Sequence, residues 1–338
     1  MQNREHEIAQ FIARAGWDKA DRRVLAGDAS PRRYDRLTRS APPFSAVLMD
    51  APPERDEDIR PFLTVGAFLS RHGLSAPEIF AHDAALGLIL LEDLGDDLFA
   101  RVCARTPADE TTLYKSAVDV LLTLHSIAEK PDLPDYDYAV LLREARLLTD
   151  WYLPAATGKQ VTLSLHREFS DLVTAACGDV AHARNVVVLR DYHAENLLWL
   201  PPRPGVKNVG LLDFQDALLG HPAYDLVSLL EDARRDTPKD LQSAMLDRYI
   251  DAAGCDPETF KWAYAVLGAQ RNLKIIGIFC RLALRDGKAG YLDLIPRVWA
   301  HLRHDLEHPA LNELGKWVDA NVPPPDDTAL ASIRRGLK

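Results

Sequence analysis

The sequence predicts an α+β fold of two lobes, a small β-rich N-terminal lobe followed by a larger helical C-terminal lobe. Short strand-like runs separated by Pro and Gly turns occupy much of the first 92 residues, whereas apolar side chains at helical spacing dominate the rest. Between them, Glu92-Asp93-Leu94-Gly95 follows a buried apolar run and is typical of a hinge. We therefore expect one lobe over residues 1–92 and a second over residues 93–338.

The N-terminal lobe is predicted to begin with a helix and to continue as a sheet. Apolar side chains recur at helical spacing between Glu5 and Ala15. Strand-like runs follow at residues 24–25, 34–37 and 45–49, and turns at 27–31 and 41–43 separate them. A second helix from residue 59 to 72 and a buried strand at 87–91 complete the lobe.

The C-terminal lobe is predicted to be helical with one exception. Helices are expected at residues 110–125, 139–152 and 163–177, and several more after Asp225. Within residues 186–220, Val186-Val187-Val188-Leu189 and Val209-Gly210-Leu211-Leu212 instead indicate two short strands, each followed closely by an aspartate. The segment Pro201 to Gly205 is typical of a hairpin turn.

Composition excludes several classes of function. The formal net charge of −10 disfavours the cationic surface that nucleic-acid binding needs. The four cysteines form no Cys-x-x-Cys pair, which argues against a zinc site or a disulfide framework. The N-terminus is polar, and no apolar stretch is long enough to span a membrane. We expect a cytoplasmic protein without a nucleic-acid or membrane partner; its oligomeric state is not predictable from sequence.

The strongest chemical signal is Arg190-Asp191-Tyr192-His193-Ala194-Glu195-Asn196, followed 22 residues after Asp191 by Asp213 in Leu212-Asp213-Phe214. Phosphoryl transfer needs a carboxylate that orients and deprotonates the attacking hydroxyl, and oxygen ligands that hold magnesium against nucleotide phosphates. The spacing Asp-x-x-x-x-Asn supplies a base and one metal ligand from one loop, and a strand-terminal aspartate supplies the other. Asp191 is therefore the candidate base, and Asn196 and Asp213 are the candidate magnesium ligands.

Ordinary structural roles could also explain these residues. Asp and Asn are common at strand ends, so each residue alone is weak evidence, although the two aspartates with the asparagine between them favour the functional interpretation. His193 has no second histidine or cysteine at ligand spacing and is expected to be a packed loop histidine. Ser30 has no histidine and acid at recognisable positions, so a nucleophilic triad is not supported.

A candidate phosphate loop lies between the first two strands, in Leu25-Ala-Gly-Asp-Ala-Ser-Pro-Arg-Arg-Tyr34. It is neither a Gly-x-Gly-x-x-Gly loop nor a P-loop. Its glycine, small residues and two arginines offer backbone N–H groups and positive charge to a triphosphate, and a plain hairpin turn explains the local pattern equally well.

Through these motifs the chain resembles the aminoglycoside phosphotransferase-like kinases, and within them the bacterial anomeric N-acetylmuramate/N-acetylglucosamine kinases. Nearly the whole chain takes part. Besides the loop at 25–34 and the motifs at 190–196 and 210–217, the resemblance involves Met49-Asp-Ala-Pro-Pro-Glu54, Tyr224 to Arg235 and Gln270-Arg-Asn-Leu-Lys274. It implies a bilobal, protein-kinase-like fold and phosphorylation of a sugar at its anomeric hydroxyl, with ATP and Mg²⁺.

The resemblance also implies roles for individual residues. Asp225, in Tyr224-Asp225-Leu226, would brace the catalytic loop. Residues 1–92 would bind the nucleotide, and residues 93–338 would carry catalysis and the amino sugar. The residues expected to contact ATP are Gly27, Ser30, Arg32, Arg33 and Arg36 around the phosphates, with Glu92 and Leu94 near the adenine.

Met49 is the main departure from the kinase pattern. It occupies the strand position where a kinase lysine would touch the nucleotide phosphates, and Lys19 is the only lysine in the first hundred residues. Losing that cation weakens electrostatic stabilisation. We expect compensation by Arg32, Arg33 or Arg36, because guanidinium groups bind phosphate bidentately; a nucleotide-binding pseudokinase is the alternative.

Acceptor residues are expected on the helical lobe, since ligand sites gather in clefts. Glu144, Asp150 and Trp151 offer carboxylates and an aromatic face to a sugar, and Arg271 is a polar interruption in an apolar helix. Core packing explains Trp151, and a salt bridge explains Arg271, about as well. An aminoglycoside, choline or other small-molecule kinase would share the catalytic residues, whereas a protein kinase is disfavoured because no Ala-Pro-Glu follows Asp213.

Overall fold

The computed structural model describes residues 2–25, 32–55 and 57–337. By the density of internal contacts the chain divides into two compact units. Unit 1 comprises residues 1–120 and 194–217, and unit 2 comprises residues 121–193 and 218–338. The expected division into functional lobes after residue 92 rests on the change of sequence pattern and not on internal contacts, and it stays a prediction.

The helices and strands follow in chain order. Up to residue 126 they are α1 (Gln2–Arg14), β1 (Asp21–Val24), β2 (Arg33–Thr38), β3 (Ser45–Asp50), α2 (Arg60–Arg71), β4 (Ile79–Asp83), β5 (Leu88–Glu92), α3 (Phe99–Arg105) and α4 (Glu110–Ser126). Up to residue 230 they are α5 (Tyr138–Ala145), α6 (Leu153–Thr157), α7 (Leu163–Cys177), β6 (Val186–Val188), β7 (Leu197–Trp199), β8 (Val209–Leu211), β9 (Leu218–Gly220) and α8 (Ala223–Leu230). The remainder are α9 (Lys239–Ala253), α10 (Pro257–Asp286), α11 (Ile295–Asp305), α12 (Asn312–Asn321) and α13 (Asp327–Arg335).

Unit 1 contains an antiparallel sheet whose described strands run in the order β1-β2-β3-β5-β4. One face buries an apolar cluster against α1, to which Ile8, Phe11, Leu37 and Leu48 contribute. Because side chains alternate between the faces of a strand, Tyr34 and Arg36 of β2 and Val47 and Met49 of β3 point to the other face. That second face carries the candidate site.

A hairpin of β7 and β8 also belongs to unit 1. Leu197 pairs with Leu211 and Trp199 with Val209, and the connection includes the predicted proline-rich turn. Gly210 accommodates a close approach, since a Cβ there would lie 3.0 Å from the Leu94 side chain. The hairpin thereby packs against the residues that follow β5.

Unit 2 is built around α10, a helix of 30 residues. The Asp256 side chain caps its start by accepting the Thr259 N–H at 2.9 Å, and Gly287 ends it in a left-handed conformation with φ 68°. The expected helix over residues 139–152 is helical for almost its whole length, but it is not a single α-helix. α5 ends at Ala145, and a π-helical segment runs from Leu148 to Tyr152.

Short strands β6 and β9 pair within unit 2, with Val187 opposite Leu219. This pairing places the segment that begins at Leu189 beside the start of α8. Of the residues that the structure describes, 57% are helical. The predicted α+β class, with a sheet near the N-terminus and helices towards the C-terminus, is confirmed. Across the described residues, no helix combines the length and apolarity needed to traverse a bilayer.

Candidate active site

A cleft in unit 1 lies on the second face of the sheet. Apolar side chains form most of its wall, from Leu25, Val47, Phe62, Pro77, Leu91, Leu94, Leu98, Leu198 and Leu212. Its polar lining includes Arg36, Glu92, Asp93, Asp96, Asn196 and Asp213. An apolar cleft with a few convergent polar groups is typical of a site that binds a small molecule.

The two predicted metal ligands of this cleft are neighbours through the backbone. The carbonyl of Asn196, just before β7, accepts the Leu212 N–H at 3.0 Å, and Asp213 follows directly after Leu212. Both side chains line the cleft. A carboxylate and an amide oxygen are hard donors, and Mg²⁺ accepts such a pair together with phosphate oxygens and water, so the residues present fit this ion.

Asp213 is held in a restricted conformation. Its φ of 57° is left-handed, which is uncommon for a residue other than glycine. Its Oδ1 accepts a hydrogen bond from Gln215 Nε2 at 2.8 Å. The next side chain, Phe214, stacks on Phe62 of α2 with ring centroids 4.7 Å apart. The strand end that carries Asp213 is therefore anchored to α2.

The hinge after β5 is organised by Arg36. Its guanidinium lies 2.8 Å from Asp93 Oδ2 and 2.8 Å from Asp96 Oδ2. Asp93 Oδ1 also accepts the Gly95 N–H at 3.0 Å, and Gly95 has φ 87°. Hydrogen bonding to Asp96 raises the pKa of Arg36. Arg36 thus fixes the turn at one rim of the cleft and shares its charge between two carboxylates.

The other predicted nucleotide contacts are placed differently. Glu92 forms an ion pair with Arg203 and lines the cleft, as Leu94 does. Arg33 lies on the α1 face of the sheet, 3.6 Å from Glu5 Oε1. Arg32 pairs with Glu57, Nε to Oε2 at 2.6 Å. Gly27 and Ser30 lie outside the described residues.

In unit 2, the start of the catalytic loop is braced by Asp225. Its Oδ2 accepts the Leu189 N–H at 2.6 Å and its Oδ1 accepts the Arg190 N–H at 2.8 Å. Arg190 has a left-handed φ of 71°. Burial raises the pKa of Asp225 to about 7, against the opposing effect of these two donors. The brace directly precedes Asp191 and fixes the backbone from which its side chain extends.

A buried group of charges surrounds Asp191 in unit 2. Lys274 Nζ lies 3.2 Å from Glu144 Oε2, and Arg190 forms an ion pair with the same carboxylate. Tyr136 donates its hydroxyl to Glu144, so that carboxylate has three partners. Burial alone would raise the pKa of Asp191, but the positive charge of Lys274, with those of Arg190 and Arg271, outweighs it and lowers the pKa. Asp191 is therefore ionised at neutral pH.

The predicted acceptor residues divide into two groups. Glu144 and Arg271 both belong to the surroundings of Asp191, and Arg271 Nη2 donates to Ser228 Oγ at 2.9 Å. Asp150 instead lies 3.8 Å from His166 of α7. The carbonyl of Trp151 accepts a weak hydrogen bond from the Cys280 thiol at 3.4 Å. The structure thus brings Glu144 and Arg271 to Asp191, and gives Asp150 and Trp151 other neighbours.

His193 lies two residues beyond Asp191 and is buried. Its Nε2 is 3.3 Å from Arg234 Nη1. Burial lowers the pKa of His193 to about 4, so the imidazole is neutral at neutral pH. This environment is that of a packed loop histidine, as the sequence predicts.

Comparison with known proteins agrees with this geometry. The sequence profile of the phosphotransferase enzyme family matches residues 21–267, which include the cleft, the catalytic loop and most of the buried charges. The chain belongs to the phosphotransferase enzyme family. Its kinase-type motifs are thereby placed in a family of group-transfer enzymes.

Curated relatives of this phosphotransferase cover almost its full length. The N-acetylmuramate/N-acetylglucosamine kinase of Caulobacter vibrioides is 38% identical, over 95% of this chain and 97% of the relative. The enzyme of the same name from Pseudomonas aeruginosa is also 38% identical, over 91% and 92% of the two chains.

Solved structures share the fold of the phosphotransferase at low sequence identity. A choline/ethanolamine kinase family protein from Mesorhizobium loti superimposes with a TM-score of 0.60 at 14% identity, covering 98% of this chain and 99% of that one. The gentamicin complex of APH(2")-IIa gives a TM-score of 0.61 at 15% identity, covering 90% and 97%. At these low identities, both similarities show a shared fold and nothing more.

Lys274 is a residue of the candidate site that sequence reasoning missed. It lies within α10, where 19 residues are buried, and its own side chain is only 10% exposed. A lysine in the middle of a buried apolar helix was the available signal, because buried lysines are rare without a partner. Its partner Glu144 is far away in sequence, so no local spacing connects the two.

Proposed function

We propose that this phosphotransferase transfers the γ-phosphoryl group of ATP to the anomeric hydroxyl of N-acetylmuramate or N-acetylglucosamine, giving the sugar 1-phosphate. The observation that carries the proposal is the set of four curated relatives, 34–38% identical, that are all named N-acetylmuramate/N-acetylglucosamine kinase. They cover 84–95% of this chain. The domain roles follow: unit 1 holds the nucleotide cleft, and unit 2 supplies the base.

In the proposed reaction the anomeric oxygen attacks the γ-phosphorus, and its proton passes to the Asp191 carboxylate. The bond between the γ-phosphorus and the β–γ bridging oxygen breaks, and ADP leaves with that electron pair. Asp191 suits this role because its low pKa keeps it ionised and able to accept a hydrogen bond from the hydroxyl. Positioning of the sugar hydroxyl then contributes more to the rate than the strength of Asp191 as a base.

The nucleotide is proposed to bind in the cleft, with adenine against its apolar wall near Glu92 and Leu94. Asn196 and Asp213 would hold Mg²⁺ at the polar end. When bound, the ion neutralises charge on the phosphate oxygens and orients them for in-line transfer. Two solved structures of the same fold are an ATP complex and a GDP complex, which supports a nucleotide as the phosphoryl donor.

Glu144 is proposed to position cations near the acceptor. Its three partners Arg190, Lys274 and Tyr136 occupy the carboxylate, which favours an organising role over direct binding of a sugar hydroxyl. Arg271 donates a hydrogen bond to Ser228 and lies about one helical turn before Lys274 in α10. We propose that it has the same organising role. We further propose that the enzyme works in the cytoplasm, where ATP is abundant.

A coupled ADP-release assay with magnesium and ATP tests the proposal. The acceptors are N-acetylmuramate, N-acetylglucosamine, glucose, choline and kanamycin, with the methyl 1-glycoside of N-acetylglucosamine as the matched control that lacks an anomeric hydroxyl. We expect turnover of the two free N-acetylated sugars and none of the glycoside. The variant Asp191→Asn should lose roughly 10²- to 10⁴-fold in kcat.

The control variant is Asp319→Asn, an exposed carboxylate paired with Arg303, which should turn over like the unaltered enzyme. Turnover of choline or kanamycin alone would keep the kinase and reject the sugar. Binding of ATP without turnover of any acceptor, in folded protein, would instead favour a nucleotide-binding pseudokinase, for which Met49 is the specific observation.

A further inference from the structure

Two carboxyl groups meet in the interior of unit 2, and the proposed reaction uses neither of them. Glu231 directly follows α8, and Asp305 is the last residue of α11. Each residue is only 3% exposed. The two side chains are hydrogen-bonded to each other. Such a bond needs a proton on one of the two groups, because an ionised carboxylate accepts hydrogen bonds but cannot donate one.

Asn272 of α10 holds the two carboxyl groups together. Its Nδ2 donates to Glu231 Oε2 at 2.7 Å and to Asp305 Oδ2 at 2.9 Å. Asn272 is itself fully buried. Because both oxygens are bonded to the same nitrogen, the two groups cannot move apart without breaking one of these buried hydrogen bonds.

The backbone of α10 makes room for the pair at Gly268. A Cβ at this position would lie 2.6 Å from Asp305 Oδ1 and 2.8 Å from Asp305 Oδ2. The absence of a side chain at residue 268 therefore lets the carboxyl group approach the helix this closely. A group packed in this way is removed from water, and a second negative charge beside it would be costly.

The surrounding charges do not offset two ionised carboxylates. Arg271 is a nearby cation, and it donates to the Ser228 hydroxyl at 2.9 Å and to the backbone carbonyl of Glu231 at 3.4 Å. Burial lowers the pKa of His301, so its imidazole is neutral at neutral pH. Burial, with the negative charge of Glu231, raises the pKa of Asp305 well above its ordinary value. Around the pair, each packed segment contributes titratable or charged side chains, namely Tyr264 and Arg271 of α10, His301 of α11 and Asp232 after α8.

We infer that Glu231 and Asp305 share one proton at neutral pH, and that this proton fastens the end of α8 to α10 and α11. We call the two side chains the carboxyl latch. As the pH rises, the proton passes to solvent, two like charges come into contact, and the latch weakens. The inference goes beyond the proposed reaction and does not depend on it. The latch still bears on the candidate site, because α8 carries Asp225, which braces the catalytic loop, and Ser228, which accepts a hydrogen bond from Arg271.

Urea unfolding between pH 6 and pH 8 tests the shared proton without any nucleotide or acceptor. Both carboxyl groups are ionised in the unfolded chain over this range, since their ordinary pKa is about 4. The native latch keeps one proton, which unfolding must release. Relative to Asp305→Asn, whose carboxamide does not titrate, the unfolding equilibrium constant of the unaltered protein should therefore rise about tenfold per pH unit. Asp225 titrates in both proteins and cancels in the comparison.

The matched control is Glu307→Gln, which removes an exposed carboxylate two residues beyond Asp305. Its stability should follow that of the unaltered protein at every pH. Parallel curves for Asp305→Asn and the unaltered protein would overturn the inference.

Hydrogen exchange tests whether the shared proton fastens the helices. Opening of the latch releases the same proton, so amide protection in α11 should fall as the pH rises from 7 to 9 in the unaltered protein, after correction for the intrinsic exchange rate. In Asp305→Asn the protection should change less. An equal pH dependence in the two proteins would show that the pair does not act as a latch.

Infrared spectroscopy of the unaltered protein gives a test that needs no folded variant. At pH 8 most of Asp225 is ionised, since its pKa is raised to about 7. The native protein should still show the C=O stretching band of a protonated carboxyl group, and the band should vanish on thermal unfolding. A native protein without this band at pH 8 would overturn the inference.

Discussion

Lys274 favours the ionised forms of Glu144 and Asp191, near the predicted catalytic loop. It contacts Glu144 at 3.2 Å and contributes the largest of the effects that lower the pKa of Asp191. A general base must be ionised, so with Asp191 as the proposed base the acid limb of kcat/KM reports the pKa of Asp191 in the free enzyme. Because this pKa is lowered, the limb should lie below the ordinary carboxyl value of 3.8.

We expect Lys274→Met to move that acid limb to higher pH, because burial would then raise the pKa of Asp191 with less opposition. The measurement is a pH profile of kcat/KM with a free N-acetylated sugar. The exposed Lys261→Met, which removes a surface ion pair with Asp247, serves as the control. A loss of activity with no movement of the limb would show that Lys274 acts through binding alone.

Asp225 gives a prediction about stability. Its pKa is raised to about 7 from the usual 3.8, so its contribution to stability is complete below about pH 4 and is lost as the pH rises through 7. Asp225→Asn removes this titration but leaves one of the two backbone donors, Leu189 or Arg190, short of an acceptor, at a cost of roughly 1–3 kcal/mol.

At pH 5 the asparagine variant should therefore be less stable than the unaltered protein. Between pH 5 and pH 8 the difference in the free energy of unfolding should shift in favour of the variant by about 2–3 kcal/mol. Urea unfolding at the two pH values measures this shift. Two stability curves that remain parallel over that range would contradict a titrating Asp225.

At the residue scale, the sequence indicated candidate site residues where these residues lie close together in the chain. Asp191, Asn196 and Asp213 could be proposed because a loop and the next strand impose their spacing, and the structure places Asn196 beside the segment of Asp213. The pairing of Arg32 with Glu57, and the position of Arg33 on the α1 face of the sheet, depend on the phase of β2 and on distant residues, which no local pattern contains. The catalytic and binding roles of all these residues remain predictions.

At the element scale, Gly277 marks the closest approach to α10. A Cβ at this glycine would lie 2.2 Å from the carbonyl carbon of Leu147, far inside van der Waals contact. Gly277→Ala should therefore lower the free energy of unfolding by at least about 1–3 kcal/mol, even though alanine favours helix formation. Thermal or urea unfolding measures the change.

Gly315 is the matched control for that substitution. It also lies inside a helix, α12, but a Cβ there would meet the Leu306 carbonyl oxygen at 3.7 Å, an ordinary van der Waals distance. Gly315→Ala should be neutral or stabilising by up to ~1 kcal/mol. Similar destabilisation of both variants would indicate that helix context, rather than contact with Leu147, sets the cost.

The same contact explains an error of prediction. Residues 139–152 contain neither glycine nor proline and have helical periodicity, so a continuous helix was expected. The structure ends α5 at Ala145 and changes to a wider turn at Leu148. The backbone of Leu147 packs directly on α10, and this tertiary contact has no local signature. Strands β4, β7 and β9 were also missed, and the pairing of β4 with β5 contains a register shift.

At the scale of the whole molecule, the cysteines give a measure of native packing. Cys103, Cys177 and Cys280 are buried, and Cys255 is partly exposed. We expect a thiol reagent such as dithionitrobenzoate to label one cysteine in the native protein and four after unfolding in guanidinium. Burial raises the pKa of Cys255, so even this reaction should be slow near neutral pH. Loss of the native phase in Cys255→Ser is the control.

The order of segments in the two units has a consequence for biosynthesis. Unit 1 needs residues 194–217, which carry Asn196 and Asp213, yet these are translated after residues 121–193 of unit 2. At a translation rate of ~5–20 residues per second, the ribosome delivers this missing piece roughly 5–20 s after residue 120. During that interval the nascent sheet lacks the β7–β8 hairpin. A gene truncated after the codon for residue 120 would encode neither complete unit. No single division of the coding sequence can therefore separate unit 1 from unit 2.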